Sequence, residues 1–218
     1  MSWFTRIDRF GDTHLCYSQE QTDSCGLAST KMIVFKVNKL RPGHSATTTE
    51  SVVETIYKKY DSTAVNVGTE GVYFDRMHNV LNELKIGTWK FESPPKQDIA
   101  AALIDKLKPD VLGAGLANTV MRGLPIMMDI AWGGTGRHVV VLDTITKIPF
   151  SDTYYGAVCD PADGDVHIIG FEKGKLINYK GKSVTWSINF GGTASEAYTK
   201  GVTLQGVVDR FIYCSTPP

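Results

Sequence analysis

The amino-acid sequence predicts an α+β fold, because helical patterns fill its first half and strand patterns fill its second. The length of 218 residues suits a single globular domain, which we expect to span residues 1–218 around a sizeable core. We place a helical half at about 1–120 and a sheet half at about 121–218. The same order, helices first and strands afterwards, favours a mainly antiparallel sheet.

Four helices are predicted in the first half. The first covers 25–37 and is apolar on nearly all sides, as a buried central helix should be. A Pro42-Gly43 pair interrupts the chain after it. The other three, over 48–60, 71–84 and 97–107, carry apolar residues at intervals of three and four positions, which is helical spacing.

Strand patterns dominate the second half. Apolar runs bounded by turn residues predict strands over 124–131, 137–146, 154–160, 165–170, 175–180, 184–189 and 205–214. Pro161 ends the third of these, since proline cannot donate to the ladder and holds the preceding residue extended. The layout predicts a cleft with a helix at one wall and the sheet at the other.

A single cysteine stands where the first helix begins. Ser24 or Asp23 can cap this helix, which places Cys25 in its first turn. The unpaired backbone N–H groups and the positive end of the helix dipole there favour an anion, so the thiolate becomes a usable nucleophile. The amide of Gln19, six residues earlier, could join the Cys25 backbone N–H in holding an oxyanion.

Two later positions could complete a catalytic set. His138 begins a run of apolar strand residues, so its ring would stand on a rigid element and could act as the base. Asp160 closes the next strand and could orient the imidazole. His167 lies in another strand-like run and is the rival base. Each residue alone has a plainer interpretation: a packed cysteine, a structural histidine and a turn aspartate.

Together these segments resemble the papain-like cysteine peptidases, and in particular the branch that removes leader peptides from double-glycine bacteriocins. The resemblance covers about residues 17–37 and 124–170 and includes Gln19, Cys25-Gly26-Leu27-Ala28, His138 with three valines after it, and Asp160-Pro161. Ser24 directly precedes the cysteine, where that branch often has aspartate.

The resemblance implies a papain-like fold, in which a central cysteine helix packs on the C-terminal sheet. It implies that Cys25 is the nucleophile, His138 the base, Asp160 the supporting carboxylate and Gln19 an oxyanion donor. The implied reaction is hydrolysis of peptide bonds in a protein or peptide substrate. Independently of the resemblance, the spacing of histidines, cysteines and carboxylates supplies no set of three or four ligands, so we expect no metal and no cofactor.

Composition excludes several other classes. The 23 basic and 23 acidic residues balance, so we expect no nucleic-acid or membrane partner. The four cysteines lack CxxC spacing, which argues against a zinc site. No apolar segment of signal-peptide length opens the chain, so we expect free thiols and a cytoplasmic location in the producing cell.

The biological role is inferred more indirectly. Only 24 residues precede Cys25, so we expect no inhibitory propeptide. One hypothesis is a bacterial effector or toxin that reaches a target cell's cytoplasm by a signal-peptide-independent route and is neutralised in the producer by an inhibitor (immunity) protein. The alternatives are a cell-wall peptide amidase or endopeptidase with the same Cys–His chemistry, and an inactive protease-like binding module.

Overall fold

A computed structural model describes residues 3–41, 43, 46–107, 110–111, 124–133, 136–182 and 203–218. Its α-helices are α1 (Cys25–Leu40), α2 (Glu50–Tyr57), α3 (Val67–Glu70), α4 (Met77–Glu83) and α5 (Ile99–Leu107), with 3₁₀ turns at Phe74–Arg76 and Lys96–Asp98. Its strands are β1 (Trp3–Ile7), β2 (Thr13–Tyr17), β3 (Thr88–Glu92), β4 (Asp110–Val111), β5 (Ile126–Trp132), β6 (Arg137–Lys147), β7 (Tyr154–Asp160), β8 (Asp165–Phe171), β9 (Asn178–Lys182) and β10 (Thr203–Thr216).

Most of the strands belong to one sheet. Within the described residues, the order β3-β10-β5-β6-β7-β8 forms its main path, while β9 pairs with β10 and β4 pairs with β6. All of these pairings are antiparallel except the short one between β4 and β6. The predicted α+β class with a mainly antiparallel sheet is therefore confirmed.

The two faces of the sheet support two groups of buried side chains. Successive residues of a strand point to opposite faces. On β6, Val139 and Val141 accordingly pack with residues of α1, α2 and α4, whereas Val140 and Leu142 pack with residues of α5. The cysteine helix therefore lies against the sheet at β6, the strand whose second residue is His138.

The prediction of a helical first half is only partly right, because four strands, β1 to β4, lie in it. β1 and β2 form a hairpin whose turn is closed by Asp8, which accepts hydrogen bonds from the backbone N–H groups of Phe10 and Asp12. β3 joins the main sheet by pairing with β10. Strands of five residues hold too few alternations to stand out in the sequence, and their partners lie far along the chain.

The other predicted elements can be compared one by one. Helix 25–37 corresponds to α1, 48–60 to α2, 71–84 to α4 and 97–107 to α5, although 3₁₀ turns shorten the regular parts of the last two. The short α3 was not predicted. Predicted strand 175–180 begins later, at Asn178, and predicted strand 184–189 lies outside the described residues. No helix in the described segments is long and apolar enough to cross a membrane.

Candidate active site

Cys25 is the first residue of α1, as predicted, but the helix is not capped as predicted. Ser24 occupies the N-cap position and makes no side-chain capping hydrogen bond. Its hydroxyl instead accepts from the backbone N–H of Gln21 at 3.0 Å and donates to the Gln21 carbonyl at 3.1 Å. The Ser24 hydroxyl is thus hydrogen-bonded within the turn before the helix. No capping side chain accepts a hydrogen bond from the first-turn N–H groups beside Cys25.

Two contacts hold the start of α1 in position. The Ser29 hydroxyl donates to the Val139 carbonyl at 3.2 Å, directly beside His138 in the chain. A Cβ atom on Gly26 would lie 2.5 Å from a methyl group of Val72, so any larger residue after Cys25 would force Val72 to move. Helix and sheet are consequently in direct contact at the level of the thiol.

His138 stands in a buried position between a carboxylate and the thiol. Its Nε2 lies 2.6 Å from Oδ1 of Asp160, and the residue is only 6% exposed. The Trp132 ring stacks on the imidazole with the centroids 5.7 Å apart and the planes 15° apart. Since Asp160 engages Nε2, Nδ1 is the ring nitrogen left to exchange a proton with Cys25.

Both oxygens of Asp160 are hydrogen-bonded, and the side chain is fully buried. Oδ1 also accepts from the backbone N–H of Ala162 at 2.7 Å, and Oδ2 accepts from the Tyr179 hydroxyl at 2.6 Å. A buried carboxylate needs such donors to remain ionised. Tyr179 and Trp132 were not among the predicted site residues, because they come from β9 and β5 and no local pattern connects them to Asp160 or His138.

These contacts shift the pKa values of the pair in opposite directions. Burial acts to lower the pKa of His138, but the charge and hydrogen bond of Asp160 and the interaction with Cys25 outweigh it and raise this pKa well above its usual value. Burial acts to raise the pKa of Asp160, but the charge and hydrogen bond of His138 and the Tyr179 hydroxyl lower it overall. The arrangement therefore favours an imidazolium held by a carboxylate.

Gln19 lies in the loop between the hairpin and α1. Its backbone N–H donates to the Pro161 carbonyl at 2.9 Å, which joins this loop to the turn after Asp160. Its side-chain Nε2 donates to the carbonyls of Gln21 and Thr22 at 2.7 and 2.6 Å. An amide nitrogen has two hydrogens. Gln19 can therefore serve an oxyanion only by exchanging one of these hydrogen bonds.

The rival base His167 is engaged elsewhere. Its Nε2 lies 2.9 Å from Oδ2 of Asp163, and its ring meets the Tyr179 ring edge-on with the centroids 5.8 Å apart. These contacts brace the turn that links β7 to β8. Of the two histidines that the sequence offers as a base, the structure brings His138 to Cys25 and Asp160.

A second buried polar cluster connects α1 to β6. Asp143 Oδ2 lies 2.6 Å from Lys36 Nζ and 2.7 Å from His14 Nδ1, and His14 Nε2 lies 3.2 Å from Asp8. Burial acts to raise the pKa of Asp143, but the charges of Lys36 and His14 lower it well below its usual value. Two cations thus balance two carboxylates between the helix of Cys25 and the strand of His138.

Two groups of donor atoms in the described residues are close enough to surround a metal ion. They are His14 with Asp143 and Cys159, and Asp160 with Asp163 and His167. In the first group the Lys36 ammonium already neutralises Asp143, and in the second Asp160 is engaged by His138. A metal would have to displace these cations, so both groups fit buried ion-pair networks better.

A cavity of about 370 Å³ opens beside Cys25. One wall is the segment 71–74, which precedes α4, and the opposite wall belongs to the sheet. The sheet side presents the buried carboxylate of Asp129, which is paired with the exposed Arg137 and the half-buried Arg210. The thiol therefore borders a space that an extended ligand could enter.

The functional interpretation depends on this geometry and on the residues that resemble the papain-like peptidases. No protein-family model matches the chain, and no curated protein matches it. Any activity of the chain must accordingly be inferred from its own side chains.

Proposed function

We propose that the chain is a papain-like cysteine protease, which hydrolyses peptide bonds in protein substrates through Cys25, His138 and Asp160. One observation carries this proposal: an unbroken series of side-chain interactions from the thiol through the imidazole to a buried carboxylate. His138 thus interacts with Cys25 and, through Nε2, with Asp160, which is the arrangement that a nucleophile, a base and an orienting group require.

The chemistry begins with the proton of the thiol. Nδ1 of His138 holds this proton, and the Cys25 thiolate attacks the carbonyl carbon of the scissile peptide bond. As the tetrahedral intermediate collapses, the C–N bond breaks and the imidazolium gives its proton to the leaving amine. A water molecule, deprotonated by His138, then attacks the thioester, which releases the carboxylic acid and restores the thiol.

The surroundings of His138 support this role. Asp160 stabilises the imidazolium and fixes which nitrogen faces the thiol, because it holds Nε2. Trp132 covers one face of the ring and keeps water from the His138–Asp160 hydrogen bond. The backbone N–H of Cys25, with no capping side chain beside it, is the first oxyanion donor. The side-chain amide of Gln19 is the second oxyanion donor, after it breaks one of its two hydrogen bonds to loop carbonyls.

The proposal is tested by protein cleavage in a complex mixture. Wild-type protein and the Cys25→Ala variant are incubated with a bacterial lysate, and new protein N-termini are mapped by mass spectrometry. We expect cleavage sites with the wild type alone, and we expect a chelator to leave them unchanged. His138→Ala should abolish cleavage, whereas His167→Ala, the matched control, should retain it because its hydrogen bond goes to Asp163.

Purified cell-wall fragments incubated in parallel separate the alternatives. Release of peptides from the wall with no cleavage of proteins would replace the protease proposal by the amidase alternative. Cleavage that persists in Cys25→Ala would contradict the proposed nucleophile. A folded wild-type protein that cleaves neither substrate would favour the binding-module alternative.

A further inference from the structure

A buried glutamate contacts the loop that carries Gln19. Glu50 is the first residue of α2 and is only 3% exposed. Its Oε1 accepts a hydrogen bond from the backbone N–H of Glu20 at 3.0 Å, directly beside Gln19 in the chain. Its carboxyl group also interacts with the Ser24 hydroxyl. Its Oε2 accepts no hydrogen bond from the described residues, which suits the protonated oxygen of a neutral acid. The proposed chemistry gives this acid no part.

The Ser24 hydroxyl connects Glu50 to Gln19 through one carbonyl group. This hydroxyl donates to the Gln21 carbonyl at 3.1 Å, and the same carbonyl accepts from Nε2 of Gln19 at 2.7 Å. A carbonyl oxygen has two lone pairs, so these two donors fill it. A hydroxyl has a single proton, which Ser24 can give to the carbonyl or to a carboxylate. The charge of Glu50 therefore affects how firmly the loop holds the amide of Gln19.

The charges around Glu50 give it no cation of its own in the described part of the chain. The charged groups that face it are Glu20 on the loop and Lys31 on α1. These two pair with each other at 3.7 Å. Burial and the charge of Glu20 raise the pKa of Glu50 to about 7, although Lys31 and the hydrogen bonds act to lower it. The carboxyl group consequently changes its charge near neutral pH.

We propose that Glu50 is a positioning residue that controls the oxyanion donor Gln19 through Ser24 and the Gln21 carbonyl. The inference rests on the proposed function and adds a control by pH to it. The neutral acid donates its proton to the Ser24 hydroxyl, and the hydroxyl donates to the Gln21 carbonyl. The carbonyl then keeps one donor when the amide of Gln19 leaves it for an oxyanion.

The ionised acid has the opposite effect. A carboxylate accepts the proton of the Ser24 hydroxyl in a charge-assisted hydrogen bond, which is stronger than a bond to a neutral carbonyl. The Gln21 carbonyl then has Gln19 as its remaining side-chain donor. Ser24 and Gln19 are almost fully buried, so water has little access to replace them. Release of the Gln19 amide is therefore more costly when Glu50 is charged.

The test measures kcat/KM of Glu50→Gln relative to that of the wild type, from about pH 5.5 to about pH 8.5, on a quenched peptide taken from a mapped cleavage site. Glutamine keeps a neutral donor at this position and cannot ionise. We expect a ratio close to one at the acidic end and a rise to about tenfold at the alkaline end, because only the wild type gains the carboxylate. The titration of His138 affects both proteins and cancels in the ratio.

Further variants show whether the effect passes through Ser24 and Gln19. When the Glu50→Gln comparison is repeated in the Gln19→Ala background, the ratio should no longer change with pH. The Ser24→Ala background should give the same result. An effect of Glu50 on stability alone would persist in both backgrounds. Glu54→Gln on the same helix is the matched control, because the carboxylate of Glu54 pairs with Lys58 at 2.8 Å, and its ratio to wild type should not vary with pH.

A second measurement requires no hydrolysis. In protein labelled with nitrogen-15, the side-chain amide signals of Gln19 are identified by their loss in Gln19→Ala. In the wild type these signals should shift with a midpoint at about pH 7, and in Glu50→Gln they should not. Should Glu50→Gln fail to fold, Ser24→Ala replaces it in this comparison, since it breaks the same connection.

The inference is overturned if the ratio of Glu50→Gln to wild type does not change with pH, or if its rise persists in the Gln19→Ala background. It is also overturned if the Gln19 amide signals of the wild type do not shift at about pH 7. A shift of these signals without any protein cleavage would support the control of Gln19 by Glu50 and refute the protease proposal. Cleavage without the shift would do the reverse.

Discussion

The Asp160→Asn substitution tests whether the buried carboxylate acts on catalysis through His138. Oδ1 of Asp160 lies 2.6 Å from Nε2 of His138. Burial acts to lower the pKa of His138, and the charge of Asp160 is the strongest influence that raises it. Asparagine keeps the shape and one acceptor oxygen, and the Tyr179 hydroxyl can rotate to accept from the new amide. We therefore expect a folded variant that has lost the charge.

The magnitude is set by the loss of one adjacent charge. An opposite charge in direct contact shifts a pKa by about 1–3 units. Each unit corresponds to about 1.4 kcal/mol of difference between the two protonation states. The imidazolium in the variant is less stable by this amount, so kcat/KM at neutral pH should fall by about tenfold to a thousandfold.

The direction of the pH effect is set by the raised pKa. His138 must be protonated to give its proton to the leaving amine, so kcat/KM of the wild type should fall as the pH rises through the raised pKa of His138. In Asp160→Asn this alkaline limb should move to lower pH by about 1–3 units.

The pKa of His138 is higher in the folded than in the unfolded state. Its contribution to stability is therefore present below about pH 6.5 and lost as the pH rises through the folded-state pKa.

The assay is a pH profile of kcat/KM on a quenched peptide taken from a mapped cleavage site. Tyr179→Phe is the matched control, since it removes the donor to Oδ2 and leaves the carboxylate in place. Its alkaline limb should move less than that of Asp160→Asn. If the limbs of Asp160→Asn and wild type coincide, the carboxylate does not act through the pKa of His138 and the reasoning is refuted.

Four further predictions concern the thiols, two buried charges and the cell. Iodoacetamide should alkylate Cys25 before the buried Cys16 and Cys159 and before the equally half-buried Cys214, and activity should be lost as Cys25 is alkylated. Burial raises the pKa of Glu50 to about 7, so the folded wild type loses stability as the pH rises towards this value. The free energy of unfolding of Glu50→Gln, measured relative to that of the wild type, should therefore increase by on the order of 2–3 kcal/mol between about pH 5 and about pH 7.5. Lys36→Met should cost about 3–5 kcal/mol in urea denaturation, since it leaves Asp143 buried with one cation fewer, whereas Lys58→Met on the surface should cost about 0.5 kcal/mol or less. Expression in a bacterial cytoplasm should arrest growth, and Cys25→Ala should not.

Each of these has a contrary result. Alkylation of Cys16, Cys159 or Cys214 ahead of Cys25, with activity kept, would contradict the assignment of Cys25 as the nucleophile. A stability difference for Glu50→Gln that stays constant with pH would show that Glu50 ionises normally. If Lys36→Met and Lys58→Met lower the free energy of unfolding equally, the buried network around Asp143 does not contribute to stability. Equal growth of cells that express the wild type or Cys25→Ala would count against the effector hypothesis. It would not contradict a peptidase that acts on a narrow range of substrates.

Local sequence was sufficient to locate the elements that carry the three proposed catalytic residues. The helix that starts at Cys25 and the strands of His138 and Asp160 all appear in the structure where the patterns predict them. Helical spacing and apolar runs are properties of neighbouring residues, and a proline after Asp160 ends its strand locally. The first hairpin and β3 were missed because five-residue strands gain their stability from partners distant in the chain.

The side chains that give these residues their environment could not be predicted in the same way. Tyr179 reaches Asp160 because β9 pairs with β10, and Trp132 reaches His138 across the pairing of β5 with β6. The capping role predicted for Ser24 was wrong, since a turn back to Gln21 competes for its hydroxyl. Contacts of this kind depend on the register of strands, which nothing in a local pattern specifies.

By itself, then, the sequence determined where the helix of Cys25 begins and where the strands of His138 and Asp160 lie, because short-range hydrogen bonding and side-chain periodicity control both. Only the tertiary structure decided that Lys36 on α1 pairs with Asp143 on β6 and that the buried Asp129 on β5 pairs with Arg137 and Arg210. The physical reason is burial: a charge removed from water takes whichever partner the packing of distant elements brings to it.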